Sequence, residues 1–337
     1  PRIDYHGQPV AVVVAETFEQ ARDAAARLRV LYEPEAAETD PDAVQELETD
    51  DDNSPVFGDL DGAMHDAAHS VDVRYTTPGQ VSAAMEPHAS VAHWSEDGSL
   101  TLHGSYQMLR FNKLELADSL GVAPEKVRIL APYVGGGFGS KLGIGPEAVA
   151  AAEAARARGR PVRVVMARQQ VFDAILRRTE TVQRIRLAAD AQGVLTGVGH
   201  DDRVSTLPEE VFAEPTATST HFLYGGENRS YLKQIARVHR VASGSVRAPG
   251  EAVGMLALEA AMDELAEKTG LDPVELRLRN LPDRHPETGV PYSARSLAEC
   301  LEAGAERFGW SERRGPGERR EGDWLIGMGM SSAARPN

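Results

Sequence analysis

The chain has 337 residues, 42% of them hydrophobic, and its 36 basic against 51 acidic side chains give a formal charge of −15. That length accommodates two or three domains with a proper core, and the acidic balance excludes a protein built to grip nucleic-acid phosphates. No apolar run reaches the roughly 18 residues that a membrane helix needs, and the single cysteine, Cys300, excludes an internal disulfide and any multi-cysteine zinc or iron–sulfur site.

The text begins at Pro1 without a methionine and stops at Asn337, just after an apolar, glycine-bearing run at 326–330. Both ends read as the interior of a longer polypeptide, so the lack of a signal peptide carries no information.

In chain order, residues 9–15 (Pro-Val-Ala-Val-Val-Val-Ala) predict a buried strand and Thr17 caps an alanine-rich helix. A second β-rich run at 28–32 completes a small βαβ-like unit, and an acidic, solvated stretch follows from Glu35 to Asp66. Alternation then predicts strands at 71–75, 89–94 and 100–102, the last two joined by a hairpin turn at 96–98. A helix over 111–120 closes at Gly121, and a strand at 127–130 leads into the glycine-rich segment 134–141. Pro146 opens a helix to about Arg158, followed by a buried strand at 162–166. Residues 181–189 and 193–200 form a hairpin, whereas 201–245 read as a loop-rich connection of the kind that lines a site. Amphipathic helices follow over 253–265 and 297–308. Hairpins and helices without regular βαβ alternation point to an α+β fold.

Gly135-Gly-Gly-Phe-Gly139-Ser-Lys141 carries the strongest local signal. Bare glycines leave backbone N–H groups open to an anion or a planar cofactor, and the plainer reading is a tight strand–helix turn. The order is wrong for a P-loop, and Gly143-Ile-Gly145-Pro-Glu-Ala148 lacks the leading strand of a dinucleotide fingerprint. Glu86 and His88 stand two apart at the start of a strand, either as an acid/base pair or as a hydrogen bond holding a bend. Arg247 precedes the helix N-terminus at Ala-Pro-Gly250, suited to an anionic ligand or to a surface carboxylate. His65 and His69 have a helical metal spacing but no third ligand nearby, and Cys300 reads as an inert buried thiol.

Together these segments resemble the molybdenum hydroxylases, the molybdopterin-binding large subunit or domain of xanthine dehydrogenases and aldehyde oxidases. The matching text is Gly7 to Ala15, Met85-Glu-Pro-His-Ala89, Val134 to Lys141, Arg247 to Gly250 with Glu259 and Asp263-Glu-Leu-Ala266, and Gly270 to Asn280, in order over nearly the whole chain. The resemblance implies the C-terminal part of a hammerhead-like α/β domain with its linker in 1–60, and the first half of the molybdopterin-binding domain in 61–337. It implies molybdopterin with molybdenum, including a cytosine dinucleotide form, and no protein side chain on the metal. Gly136, Gly137, Phe138 and Gly139 would pack beside the molybdenum, with Gln107 hydrogen-bonded to its apical oxygen and Arg247 next to it.

The family's reaction hydroxylates an electrophilic carbon with water as the oxygen source. A glutamate assists attack by Mo–OH and hydride passes to the sulfido ligand. That glutamate has no match here, so the piece is expected to be inactive alone. Leu142 stands where purine-oxidising members carry a glutamate, which favours aldehydes over purines or other N-heterocycles. Gly244 stands where carbon monoxide dehydrogenases carry a copper-binding cysteine. Iron–sulfur clusters and FAD would sit on partner subunits or absent domains, with the cytoplasm as the expected compartment and the periplasm as the alternative. A non-catalytic scaffold or assembly module is the competing reading from another class.

Overall fold

The structure, a computed structural model, describes residues 2–335. Thr17 and Gln20 close a reciprocal capping box at the start of α1 (Phe18–Ala26). The flanking runs 9–15 and 28–32 are not strands. They find no ladder partner among the described residues, and their apolar side chains lie open, Leu31 at 95% exposure. β-Branched text supplies propensity, but a strand exists only where a neighbour accepts its backbone hydrogen bonds.

The chain continues through β1 (Glu48–Thr49), β2 (Val56–Phe57), α2 (Leu60–Asp66) and β3 (His69–Thr77). His65 falls in α2 and His69 in β3, so their helical spacing dissolves, and no group of three metal-ligating side chains occurs among the described residues. Next come β4 (Ala89–Trp94), β5 (Leu100–Gly104), α3 (Leu109–Ser119), β6 (Val127–Leu130), α4 (Pro146–Arg158) and β7 (Val162–Val165). These four strands form one sheet in the order β6-β5-β4-β7, parallel only between β5 and β6. The small side chains of Ala148, Ala151, Ala152 and Ala155 let α4 lie close on that sheet, packed with Leu100, Leu102 and Leu116. At the edge, β7 alternates between buried and exposed positions rather than being buried throughout.

After α5 (Arg168–Ala174), the strands β8 (Thr181–Ala189), β9 (Leu195–Thr206) and β10 (Asn228–Arg237) build the larger sheet in the order β1-β10-β9-β8-β3, with β2 also on β10. The β8–β9 hairpin turns at Asp190, whose carboxylate accepts from the amides of Gln192 and Val194 at 2.9 Å. The expected loop-rich stretch 201–245 holds for 207–227 and 238–245, but 201–206 and 228–237 are strand. Their buried polar side chains, among them Asp202, Ser205, Thr206, Arg229 and Lys233, interrupt the apolar alternation that would have announced them.

The helix α6 (Glu251–Thr269) lays Leu258, Ala261, Met262 and Leu265 against Val71, Ile185 and Leu187 of this sheet. Then follow α7 (Pro273–Arg279), α8 (Leu297–Phe308), β11 (Arg320–Glu321) and β12 (Trp324–Leu325). Cys300 on α8 is exposed, not buried, because it lies away from Leu301, the buried residue of that helix. The α+β architecture thus rests on two mixed sheets, each with its own helices and core. No helix is long and apolar enough to cross a membrane among the described residues.

Candidate cofactor site

Two segments meet where the two sheets adjoin. One is the glycine loop between β6 and α4, and the other is residues 245–250 between β10 and α6. The amide of Arg247 donates to the Phe138 carbonyl at 2.8 Å. Gly139 adopts φ +108°, and a Cβ there would sit 1.8 Å from the Ser245 carbonyl oxygen, so only glycine permits this approach. Phe138, 46% exposed, takes a left-handed φ of +53°, and Ala248 across the seam has φ +55°. Non-glycine residues held in this region store strain that the surroundings must enforce, a feature concentrated at functional sites.

Gln107, just before α3, reaches into the loop. Its Oε1 accepts from the amides of Gly139 at 3.0 Å and Lys141 at 3.3 Å, and its own amide donates to the Lys141 carbonyl at 2.8 Å. With the oxygen committed to accepting, the carboxamide NH2 remains as a donor without a partner among the described residues. Gly137 lies against this amide, and Gly136 lies against the Phe138 ring.

Glu86 closes the loop at both ends. Its Oε2 accepts from the Gly135 amide at 2.8 Å and from Lys141 Nζ at 2.7 Å. The lysine is buried and also reaches the Glu86 carbonyl and Ser105 Oγ, each at 3.2 Å. Burial alone would raise the Glu86 carboxyl, but hydrogen bonds from Lys141, Ser105 and the Gly135 amide outweigh it and hold the group below the usual carboxylate range. His88 Nε2 lies 3.0 Å from the Ser140 carbonyl, which can only accept, so this nitrogen carries the proton. Burial lowers the His88 pKa, keeping the ring neutral. Glu86 and His88 therefore hold the loop in shape, the structural option of the two that the sequence left open.

The exposed Arg247 guanidinium has no carboxylate partner among the described residues, against the surface-pair option. Beneath it, the buried Arg178 faces Glu214 with Nε 3.3 Å from Oε1 and donates through Nη2 to the Val246 carbonyl at 2.6 Å. Neither Arg178 nor Glu214 was foreseen. The only trace in the sequence is the adjacent pair Arg177-Arg178 after an apolar run, because two charges that pair inside a fold leave no spacing signature. Leu142 is half-buried beside the loop, with its amide on the Gly139 carbonyl at 3.1 Å and its carbonyl accepting from Asn112 Nδ2 at 2.6 Å.

The structure therefore gathers Gln107, the 135–141 loop, Leu142 and Arg247 around one seam. Two unpaired donors, one neutral and one cationic, stand beside a glycine-walled surface, a donor set that fits an oxygen-rich, anionic cofactor.

Residues 43–281 match the model of the molybdopterin cofactor-binding domain, and the chain belongs to that family. Over 344 residues it is 42% identical to the aldehyde oxidoreductase molybdenum-binding subunit PaoC of Escherichia coli (strain K12), covering 100% of this chain and 46% of that protein. Over 359 residues it is 32% identical to the nicotine 6-hydroxylase large subunit of Paenarthrobacter nicotinovorans, covering 98% of this chain and 43% of the relative. Among solved structures, the aldehyde oxidoreductase from Desulfovibrio gigas superposes with a TM-score of 0.77 at 25% identity, covering 89% of this chain and 36% of that one. The chain thus spans less than half the length of these relatives, two of which are named as subunits.

Proposed function

We propose that this chain forms the metal-facing half of the cofactor site in a molybdenum hydroxylase that oxidises aldehydes to carboxylic acids with water as the oxygen source. The observation that carries the reading is that Gln107 and Arg247 are both joined to the glycine loop, through Gln107 Oε1 and the Arg247 backbone amide, while the Gln107 NH2 and the Arg247 guanidinium have no partner among the described residues. When bound, the molybdopterin supplies the two-electron oxidation. Gln107 offers a neutral hydrogen bond to a cofactor oxygen and Arg247 a positive charge beside it. Gly136 and Gly137 leave the backbone open to close approach, and Phe138 supplies an apolar wall. Leu142 offers no hydrogen bond to a purine ring, which supports aldehydes over purines.

The general base lies outside this chain in the same reading. So do the iron–sulfur clusters and FAD, on partner subunits. The cytosine dinucleotide form of the cofactor, a cytoplasmic location and the division near residue 60 into a hammerhead-like part and the cofactor-binding part belong to this proposal too. The strands β1 and β2 reach across that division to pair with β10.

The test is metal content and a turnover screen of the intact complex, with aromatic aldehydes and purines as substrates. Molybdenum near one per complex with aldehyde turnover is expected, and Arg247→Ala should cut that turnover at least about 100-fold, the scale of an electrostatic transition-state contact. A purified complex without molybdenum would return the chain to the scaffold reading. Full turnover in the arginine variant would remove the role given to Arg247.

A further inference from the structure

Three consecutive carbonyls, those of Val246, Arg247 and Ala248, turn to the same side and converge on one nitrogen, Nη2 of Arg178. The contacts are 2.6 Å to Val246, a closer one to Arg247 and 3.4 Å to Ala248. An extended segment would point successive carbonyls to opposite sides, so this arrangement requires the left-handed turn at Ala248 and a donor able to satisfy it. The donor is itself fixed. Its Nη1 meets Gln80 Oε1 at 3.0 Å, and backbone bonds between Gln80 and Arg178 run in both directions at 3.1 and 2.8 Å. Glu214, fully buried, faces Nε at 3.3 Å and accepts from the Gly250 amide at 2.7 Å through the same oxygen. One carboxylate thus ties the guanidinium to the first residue ahead of α6.

We propose that Arg178, locked by Glu214 and Gln80, is the positioning residue of the site: it draws the 246–248 backbone inward and so aims the Arg247 side chain outward at the cofactor. This rests on the reading of Arg247 as a cofactor donor. Lysine cannot replace Arg178, since an ammonium presents no planar fork and cannot serve Gln80 and the 246–248 carbonyls at once. Supporting shells of this kind set how closely a functional group holds its working geometry.

The experiment compares Arg178→Lys with wild type in the full-length subunit assembled in its complex. Hydrogen exchange at the amides of Arg247 and Gly250, bonded to Phe138 and Glu214, reads the positioning without any dependence on cofactor or turnover. Exchange there should rise at least about tenfold while the amides of β4 and β8 keep wild-type rates. With benzaldehyde as the probe, kcat should fall about tenfold or more with molybdenum content and KM held. Gln80→Ala, at an exposed side chain that removes one of the supports, should move both readouts in the same direction by a smaller factor, and it answers the question should the lysine variant not fold. Wild-type exchange at amides 247 and 250 in the folded variants overturns the proposal, as does raised exchange with unchanged kcat. A wild-type complex that holds no molybdenum defeats the reading of the site instead, while the exchange result still decides whether Arg178 sets this backbone.

Discussion

At Gly137 an added methyl group would sit 2.2 Å from Gln107 Oε1. The atom that must yield is the end of a flexible side chain, so the fold tolerates the change at the cost of the two loop hydrogen bonds of Gln107, about 1 kcal/mol each. Gly137→Ala should accordingly keep a melting temperature within a few degrees of wild type while losing about tenfold or more in aldehyde turnover, because the Gln107 donor is displaced. Wild-type turnover would show that the orientation of Gln107 does not matter. Glu86 supplies a second expectation, in pH. Its folded carboxyl titrates below the usual range, so the unfolded chain takes up the proton first as pH falls. The stabilisation is therefore complete above the usual glutamate range and is lost as pH drops through the folded value. The gap in melting temperature between wild type and Glu86→Gln should narrow on going from about pH 6 to about pH 3.5. A gap that stays constant would mean Glu86 contributes through shape rather than charge.

Among the elements, α6 carries the most consequential buried pair. Arg277 of α7, fully buried, donates to Glu259 of α6 at 2.8 Å and pairs with Asp263 at 2.8 Å. Glu259 also accepts from the Tyr224 hydroxyl and the Ser332 amide, each at 2.6 Å. Removing the arginine strands a desolvated carboxylate, so Arg277→Ala should cost about 3–5 kcal/mol in denaturant unfolding of the full-length subunit. A loss under about 1 kcal/mol would mean that water reaches Glu259.

Elements with chemical punctuation were legible in the sequence. Pro146 at the first turn and the left-handed Gly159 bound α4, and Gly270 and Gly309 end α6 and α8 in the same way. Strand β10 was not legible, because Arg229 and Lys233 are buried on it through ion pairs with Glu287 and Asp202 that no local pattern encodes. The runs at 9–15 and 28–32 failed in the opposite sense, since apolar text predicted strands for which no neighbour among the described residues supplies a partner. At the site, the glycine loop, Gln107 and Arg247 were readable as chemistry. Arg178 and Glu214 were not, since their meaning lies wholly in a contact between distant segments.

Across the whole molecule, the two sheets own separate cores, and the site occupies the seam between them. The loop side belongs to the smaller sheet through β6 and α4, while the arginine side belongs to the larger one through β10 and α6. A shift of one sheet against the other would therefore change the spacing between Phe138 and Arg247 before it disturbed either core.

That seam also sets an order of assembly. The contact from Gln107 to Gly139 spans 32 residues of chain, that from Arg178 to Val246 spans 68, and the bond from Arg247 to Phe138 spans more than either. Short loops close at lower entropic cost, so the glycine cradle forms first and the arginine arrives last. In pulse-labelled refolding of the full-length subunit, amides 139 and 141 should gain protection before amide 247, and simultaneous protection would refute the sequence of events. A nascent subunit would then show its cradle before it can hold anything there, with cofactor capture deferred until both sheets have closed on each other.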